Sequence, residues 1–203
     1  MIATPSHNER SSIADGHTAA NNSRVHMAVV ATALLAIVAF VLASCNGGGD
    51  TSSALPDDAT PQQVAELFQT GLALQNSGDL DAADVAYSEV LRVDPDNVLA
   101  LYNSALIRQN DGRFDEAEER YRQVLELEPT MTAAQYNLAR LLEETGRTDA
   151  ALEQYRAALE VSPDDPGLLL NYGQLLISSG DVEGGAAQVA RAIELDPSLI
   201  DED

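Results

Sequence analysis

Carboxamide side chains recur through this sequence at a fixed interval: Gln69, Asn103, Asn137 and Asn171 are each 34 residues apart. A primary amide carries a donor and an acceptor together, so a row of them can match the C=O and N–H groups of a peptide main chain without regard to its side chains. The same row could equally tie neighbouring segments of its own chain together. Few other chemistries are open. His7, His17, His26 and Cys45 all fall in the first 45 residues, and the chain of 203 residues contains no lysine. Downstream of Cys45 there is therefore no material for a zinc site of Cys and His, a Cys–His nucleophile, a Ser–His–Asp triad, a Schiff base or a P-loop. The many Asp and Glu residues leave carboxylate pairs or an oxygen-ligated cation open in principle. Most of them, however, fall in first helical turns or on polar helix faces, where the helix dipole and solubility account for them. The turns with Asp94 and Asp96, or Asp164 and Asp165, lack the spacing of an EF-hand loop. No catalytic residue, metal or cofactor is expected.

Charge narrows the partners. The formal net charge is -22, and because two acids and two arginines cancel in the first 45 residues, residues 46–203 carry 31 acids against 9 arginines. Such a surface repels phosphate backbones and anionic headgroups, so nucleic-acid binding is disfavoured. A hydrophobic content of 45% is that of a folded protein.

The 34-residue interval extends well beyond the amides. Gly78, Gly112, Gly146 and Gly180 keep it, as do Pro95, Pro129, Pro163 and Pro197, the alanines 83, 117 and 151, and the tyrosines 87, 121 and 155. Within each unit two apolar stripes at helical period flank a turn, for example Leu67, Gly71, Leu74 before Gly78-Asp79 and Ala83, Tyr87, Val90, Leu91 after it. Glycine ends the first helix, proline ends the second, and an acid three residues past each glycine (Asp81, Asp115, Asp149, Glu183) meets the positive end of the second helix. Thr60-Pro61 with Gln63 reads as the opening N-cap, with a capping-box partner. Small residues at Gly71, Ala105, Ala139 and Gly173 mark where paired helices approach closely, and the tyrosine stripe is most simply core.

In this pattern the sequence resembles the tetratricopeptide repeat (TPR) family, whose helix-turn-helix unit has 34 residues. The resemblance covers about two thirds of the chain and implies an all-α, right-handed α-solenoid of about eight helices over residues 61–199, with repeats at 64–97, 98–131, 132–165 and 166–199 and an acidic tail at 200–203. It further implies a concave face lined by the first helix of each unit, which binds extended peptides or partner helices. There the amide row resembles the asparagine ladder of the TPR array of the O-linked N-acetylglucosamine transferase. The family's inward positions carry Phe68, Leu72, Leu99, Tyr102, Leu106, Tyr136 and Leu170, with Arg140 as a cation that could also pair with Glu143 or Glu144. The clamp of the chaperone-tail type is not expected, because Phe68, Leu72, Ala133 and Asn137 stand at four of its five positions and only Asn103 agrees. The fourth unit departs from the others, with Gly185 for Ala and Val189 for Tyr; its second helix is expected to be weak and its uncapped end to support weak self-association.

Upstream, residues 1–26 form a polar leader, expected to be disordered, and 27–44 contain the uncharged run MAVVATALLAIVAFVLA followed by Ser44. Leu42-Ala43-Ser44-Cys45 resembles the bacterial lipobox, which implies lipidation of Cys45; an uncleaved single-span helix is the alternative. Residues 46–60, rich in Gly, Ser, Asp and Thr, read as a flexible tether that spans roughly 20 Å. Arg24 precedes the apolar run and no basic residue follows it until Arg92, which puts the repeats on the extracytoplasmic side. The sequence thus describes a membrane-anchored TPR protein that binds a protein or peptide as an adaptor or scaffold, or else an envelope assembly part that docks through its last helix.

Overall fold

The computed structural model describes residues 54–200. The leader, the apolar segment, Cys45, most of the tether and residues 201–203 lie outside the described residues. Among the described residues no helix is long and apolar enough to cross a membrane. Eight α-helices run in succession: α1 Pro61–Ser77, α2 Leu80–Val93, α3 Val98–Asn110, α4 Phe114–Leu127, α5 Thr132–Glu144, α6 Thr148–Val161, α7 Pro166–Ser179 and α8 Val182–Leu195, followed by a 3-10 turn at Pro197–Ile200. Each helix packs on its neighbours in sequence, and α3 also reaches α5. The result is a TPR-like solenoid of helix pairs.

Local chemistry sets the helix ends. Thr60 and Gln63 make the reciprocal capping box, with Pro61 in the first turn. Gly78, Gly112, Gly146 and Gly180 all take positive φ (73° to 107°), a conformation that a Cβ would strain, and the residue after each donates its N–H back to the preceding helix. Asp79 and Asp181 cap α2 and α8 with their own carboxylates. The corresponding residues of the two middle units, Arg113 and Arg147, make no side-chain cap.

The core is the tyrosine stripe. Tyr87, Tyr121 and Tyr155 are fully buried, and each hydroxyl donates across its own helix pair to a residue twelve positions earlier: to Gln75 at 2.7 Å, Gln109 at 3.0 Å and Glu143 at 3.2 Å. Burial raises all three phenols above their ordinary range, Tyr87 to about 12.

The fourth pair follows a different rule. There α7 and α8 pass so close that a Cβ on Gly185 would lie 2.4 Å from the Gly173 carbonyl oxygen and 2.9 Å from the Ile177 amide nitrogen. Its missing alanine and tyrosine are therefore conditions of close approach, and α8 is helical along its whole length. One residue breaks the apolar pattern: Gln135 stands where the other units have Leu67, Leu101 and Leu169. It is buried at 6% exposure, its Nε2 donates to the Pro129 carbonyl, and its Oε1 has no partner among the described residues.

The end of the tether differs from expectation. Leu55 packs against the first core cluster, its N–H donates to Glu89, and Arg92 binds both its carbonyl and Asp57. Residues 55–59 are therefore pinned along α2 by an apolar contact and charge-assisted hydrogen bonds.

Candidate peptide-binding face

The odd-numbered helices α1, α3, α5 and α7 contribute every residue of the candidate face. Their charge content sets them apart: they hold three acids (Glu66, Glu143, Glu144), whereas the even-numbered helices hold thirteen. Thirteen of the sixteen helical acids thus belong to helices that contribute nothing to this face.

Phe68, Tyr102 and Tyr136 hold equivalent positions and each rests on the core tyrosine of its own unit, with ring centroids 5.6, 6.2 and 6.1 Å apart. Leu72 and Leu106 are half-buried against the same clusters. Leu170 is half-buried, whereas Leu99 is 54% exposed. The apolar floor of the face is thus shared with the core, and Leu99 projects from it.

The amide row is built into the fold unevenly. In Asn103, Asn137 and Asn171 one Nδ2 proton goes to the carbonyl four residues back (Leu99, Ala133 and Gly167, 2.8 to 2.9 Å). In Asn137 the second proton goes to the Tyr102 hydroxyl at 2.9 Å, and in Asn171 to the Tyr136 hydroxyl at 3.1 Å, each in the preceding unit. Both protons of these two amides are consumed, so Asn137 and Asn171 tie adjacent units together and keep only the carbonyl oxygen for a ligand. Asn103 would need the same hydroxyl from unit one, where Phe68 has none. It keeps one N–H and the carbonyl, and Gln69 on α1 is exposed. The two sequence readings of the row are divided along it: ligand-ready amides at the first two units, inter-unit ties at the last two. The Tyr–Asn interval of 35 residues was visible in the sequence, but the bond needs two helices brought side by side.

A second set of ties was not anticipated. Asp84 is 9% exposed and accepts from Ser104 at 2.7 Å, Arg108 at 3.3 Å and Arg113 at 3.1 Å. One unit on, Glu118 meets Arg147 at 2.6 Å with the same 29-residue interval, and also Arg122 at 2.8 Å. Burial works against the Glu118 carboxylate, yet the two arginines hold it below the usual carboxylate range. The arginines that fail to cap α4 and α6 are therefore spent on the preceding unit. The conserved interval between an acid and an arginine was the signal for this pair of latches.

The sequence matches two TPR family descriptions: "Surface lipoprotein assembly modifier, N-terminal TPR repeats" over residues 57–155 and "Tetratricopeptide repeat" over 136–200. Residues 57–200 are a TPR domain. Solved structures with a similar fold include a crystal structure of MamA (22% identity, TM-score 0.66, 70% of this chain and 78% of that one) and MamA from Desulfovibrio magneticus RS-1 (21%, 0.63, 66% and 76%). A TPR protein from Parabacteroides merdae is also similar (24%, 0.63, 67% of this chain and 54% of that one). No curated protein matches the chain.

Arg140 occupies an unexpected setting in the TPR domain. Its guanidinium lies over the Tyr136 ring, 5.9 Å from the centroid, and pairs with none of the described carboxylates. The expected partners are engaged elsewhere: Glu143 takes the Tyr155 hydroxyl, and Glu144 takes the Gln109 amide of the preceding unit at 3.5 Å. The acidic turns are also committed, Asp94 to Asn97, Asp164 to Arg191 and Asp165 to the N-terminus of α7. Among the described residues no group of acids, histidines or cysteines is placed to hold a metal ion.

Proposed function

We propose that this protein is a membrane-tethered adaptor whose TPR domain, on the extracytoplasmic side of a bacterial envelope, binds a partner protein or peptide along the face of α1, α3, α5 and α7. The observation that carries the reading is the segregation of charge. The even-numbered helices bear thirteen of the sixteen helical acids, and the odd-numbered face offers half-buried aromatic and aliphatic side chains, an exposed Leu99 and amides with free hydrogen-bonding capacity at Gln69 and Asn103. That combination suits an extended segment whose main chain is read by amides and whose apolar side chains seat between helices. The role proposed for it is recruitment. Similarity to the TPR repeats of a surface lipoprotein assembly modifier supports an envelope setting, as does the lipobox-like Leu42-Ala43-Ser44-Cys45.

In-cell crosslinking of the full-length protein tests the proposal, run beside a variant with Leu99→Glu and Asn103→Ala. These two side chains make no tie between units, so the fold is expected to survive, as circular dichroism would show. A partner captured by the parent and lost in the variant is the expected result; a partner retained by both would overturn it. A second reading, docking through the C-terminal unit or weak self-association there, is favoured by the exposure of Val182, Leu195 and Ile177 (60%, 44% and 39%). It requires capture to be lost in Val182→Glu instead. Anchoring through Cys45 predicts palmitate labelling of the parent and none of Cys45→Ser.

A further inference from the structure

We propose that the ligand of the odd-helix face carries a carboxylate, seated on Arg140, within an otherwise apolar, extended segment. The inference rests on the peptide-binding reading above and adds the chemistry of the partner.

Of the charged groups on α1, α3, α5 and α7, Arg108 is spent on Asp84, Glu116 and Ser88. Glu143 and Glu144 are drawn to Tyr155 and Gln109. Arg140 remains as an exposed cation whose approach to the Tyr136 ring fixes its position without neutralising it. It stands one helical turn from Asn137, whose carbonyl oxygen is the part of that amide left for a ligand. Its charge also reaches the buried hydroxyls of Tyr121 and Tyr155, opposing the rise that burial imposes on both phenols. The guanidinium stands on α5, whereas thirteen of the sixteen helical acids belong to the even-numbered helices.

A guanidinium on an aromatic ring keeps its in-plane N–H groups directed outward, and these match a carboxylate in a two-pronged, charge-assisted arrangement that an amide or hydroxyl cannot reproduce. The neighbouring rungs agree with one direction of reading. At units one and two, Asn103 can both donate and accept beside Leu99; at units three and four, Asn137 and Asn171 can only accept. The acceptor rungs take main-chain N–H groups of the ligand, which a carboxylate cannot supply, so the carboxylate is left to Arg140 and an apolar anchor to Leu99. This places the acid of the partner inside the face, in spite of a chain whose net charge of -22 repels acidic segments at long range. The partner is thus neutral or basic outside this single carboxylate.

The test is selection of displayed random dodecapeptides on the full-length protein in detergent, in parallel with Arg140→Gln and Leu99→Glu. The expected pool on the parent pairs an apolar residue with one Asp or Glu at a fixed spacing. On Arg140→Gln the acid disappears from the pool and the apolar residue stays. Replacing that acid by its amide in a selected peptide weakens binding about tenfold on the parent and leaves binding to Arg140→Gln unchanged. Equal weakening on both proteins, or a parent pool without acids, overturns the carboxylate and leaves peptide binding intact. A pool unaffected by Leu99→Glu overturns the peptide-binding face itself and this inference with it.

Discussion

Gly185→Ala would restore to the fourth unit the residue that the other three have, and repeat logic alone expects stabilisation. Alanine in a helix interior is favoured over glycine by about 1 kcal/mol, and Ala83, Ala117 and Ala151 are fully buried without difficulty in the other units. The structure predicts the opposite sign. A Cβ at 185 meets the Gly173 carbonyl oxygen at 2.4 Å, Ile177 Cγ1 at 2.6 Å and the Ile177 amide nitrogen at 2.9 Å. Two of these three are backbone atoms, which no rotamer change can move, so α7 and α8 must separate and the contacts of Val189 with Gly173 are loosened. Overpacking of this kind costs about 1–3 kcal/mol. With backbone on both sides the upper part of that range applies, and after the propensity gain the net loss is about 1–2 kcal/mol, or roughly 3–7 °C in a domain of this size. Thermal unfolding followed by circular dichroism would measure it, and hydrogen exchange should show faster opening of α8 than of α2 to α5. An unchanged or raised midpoint for Gly185→Ala would refute the close-approach account of the fourth unit.

Gln135→Leu should stabilise the domain by about 1–2 kcal/mol, since it removes a buried acceptor without a partner and matches Leu67, Leu101 and Leu169; urea denaturation checks the direction. Asp84→Ala should cost about 1–3 kcal/mol, because it leaves the buried Ser104 hydroxyl without its acceptor and takes one partner each from Arg108 and Arg113, which keep Glu116, and the same assay would show no loss if the latch were idle. Phe68→Tyr should give Asn103 the hydroxyl that Asn137 and Asn171 already have, raising stability by about 0.5–1.5 kcal/mol and weakening any ligand that uses the Asn103 donor. Alkaline pH should unfold the protein cooperatively. The unfolded phenols ionise near pH 10, whereas burial holds the folded ones higher, so folding stability is present below about pH 10 and is lost as pH rises through the folded range. The chain has no lysine to titrate in that interval. The tyrosinate absorbance of the three buried phenols should therefore appear together with the loss of helicity, and ionisation of all six tyrosines with helicity intact would contradict the burial.

The sequence by itself determined the helix pairs, because their signals are local. A capping box at Thr60, a glycine that alone accepts positive φ at each turn and a 34-residue spacing of Ala and Tyr act within a few residues or within one hairpin. The burial of the tyrosines followed from the same pattern. The division of the amide row into ligand-ready and structural halves was decided by tertiary structure, since it depends on whether the preceding unit presents Tyr or Phe 35 residues away. The fate of Arg140 was likewise undecided locally: Glu143 and Glu144 lie at suitable helical spacing, yet longer-range partners on α6 and α3 compete for them and win. Gly185 shows the same limit most clearly. Counted along the chain it is a weakness in a helix, and across the α7–α8 contact it is the condition for the two backbones to meet, because excluded volume between helices is a property of their separation and not of the sequence of either.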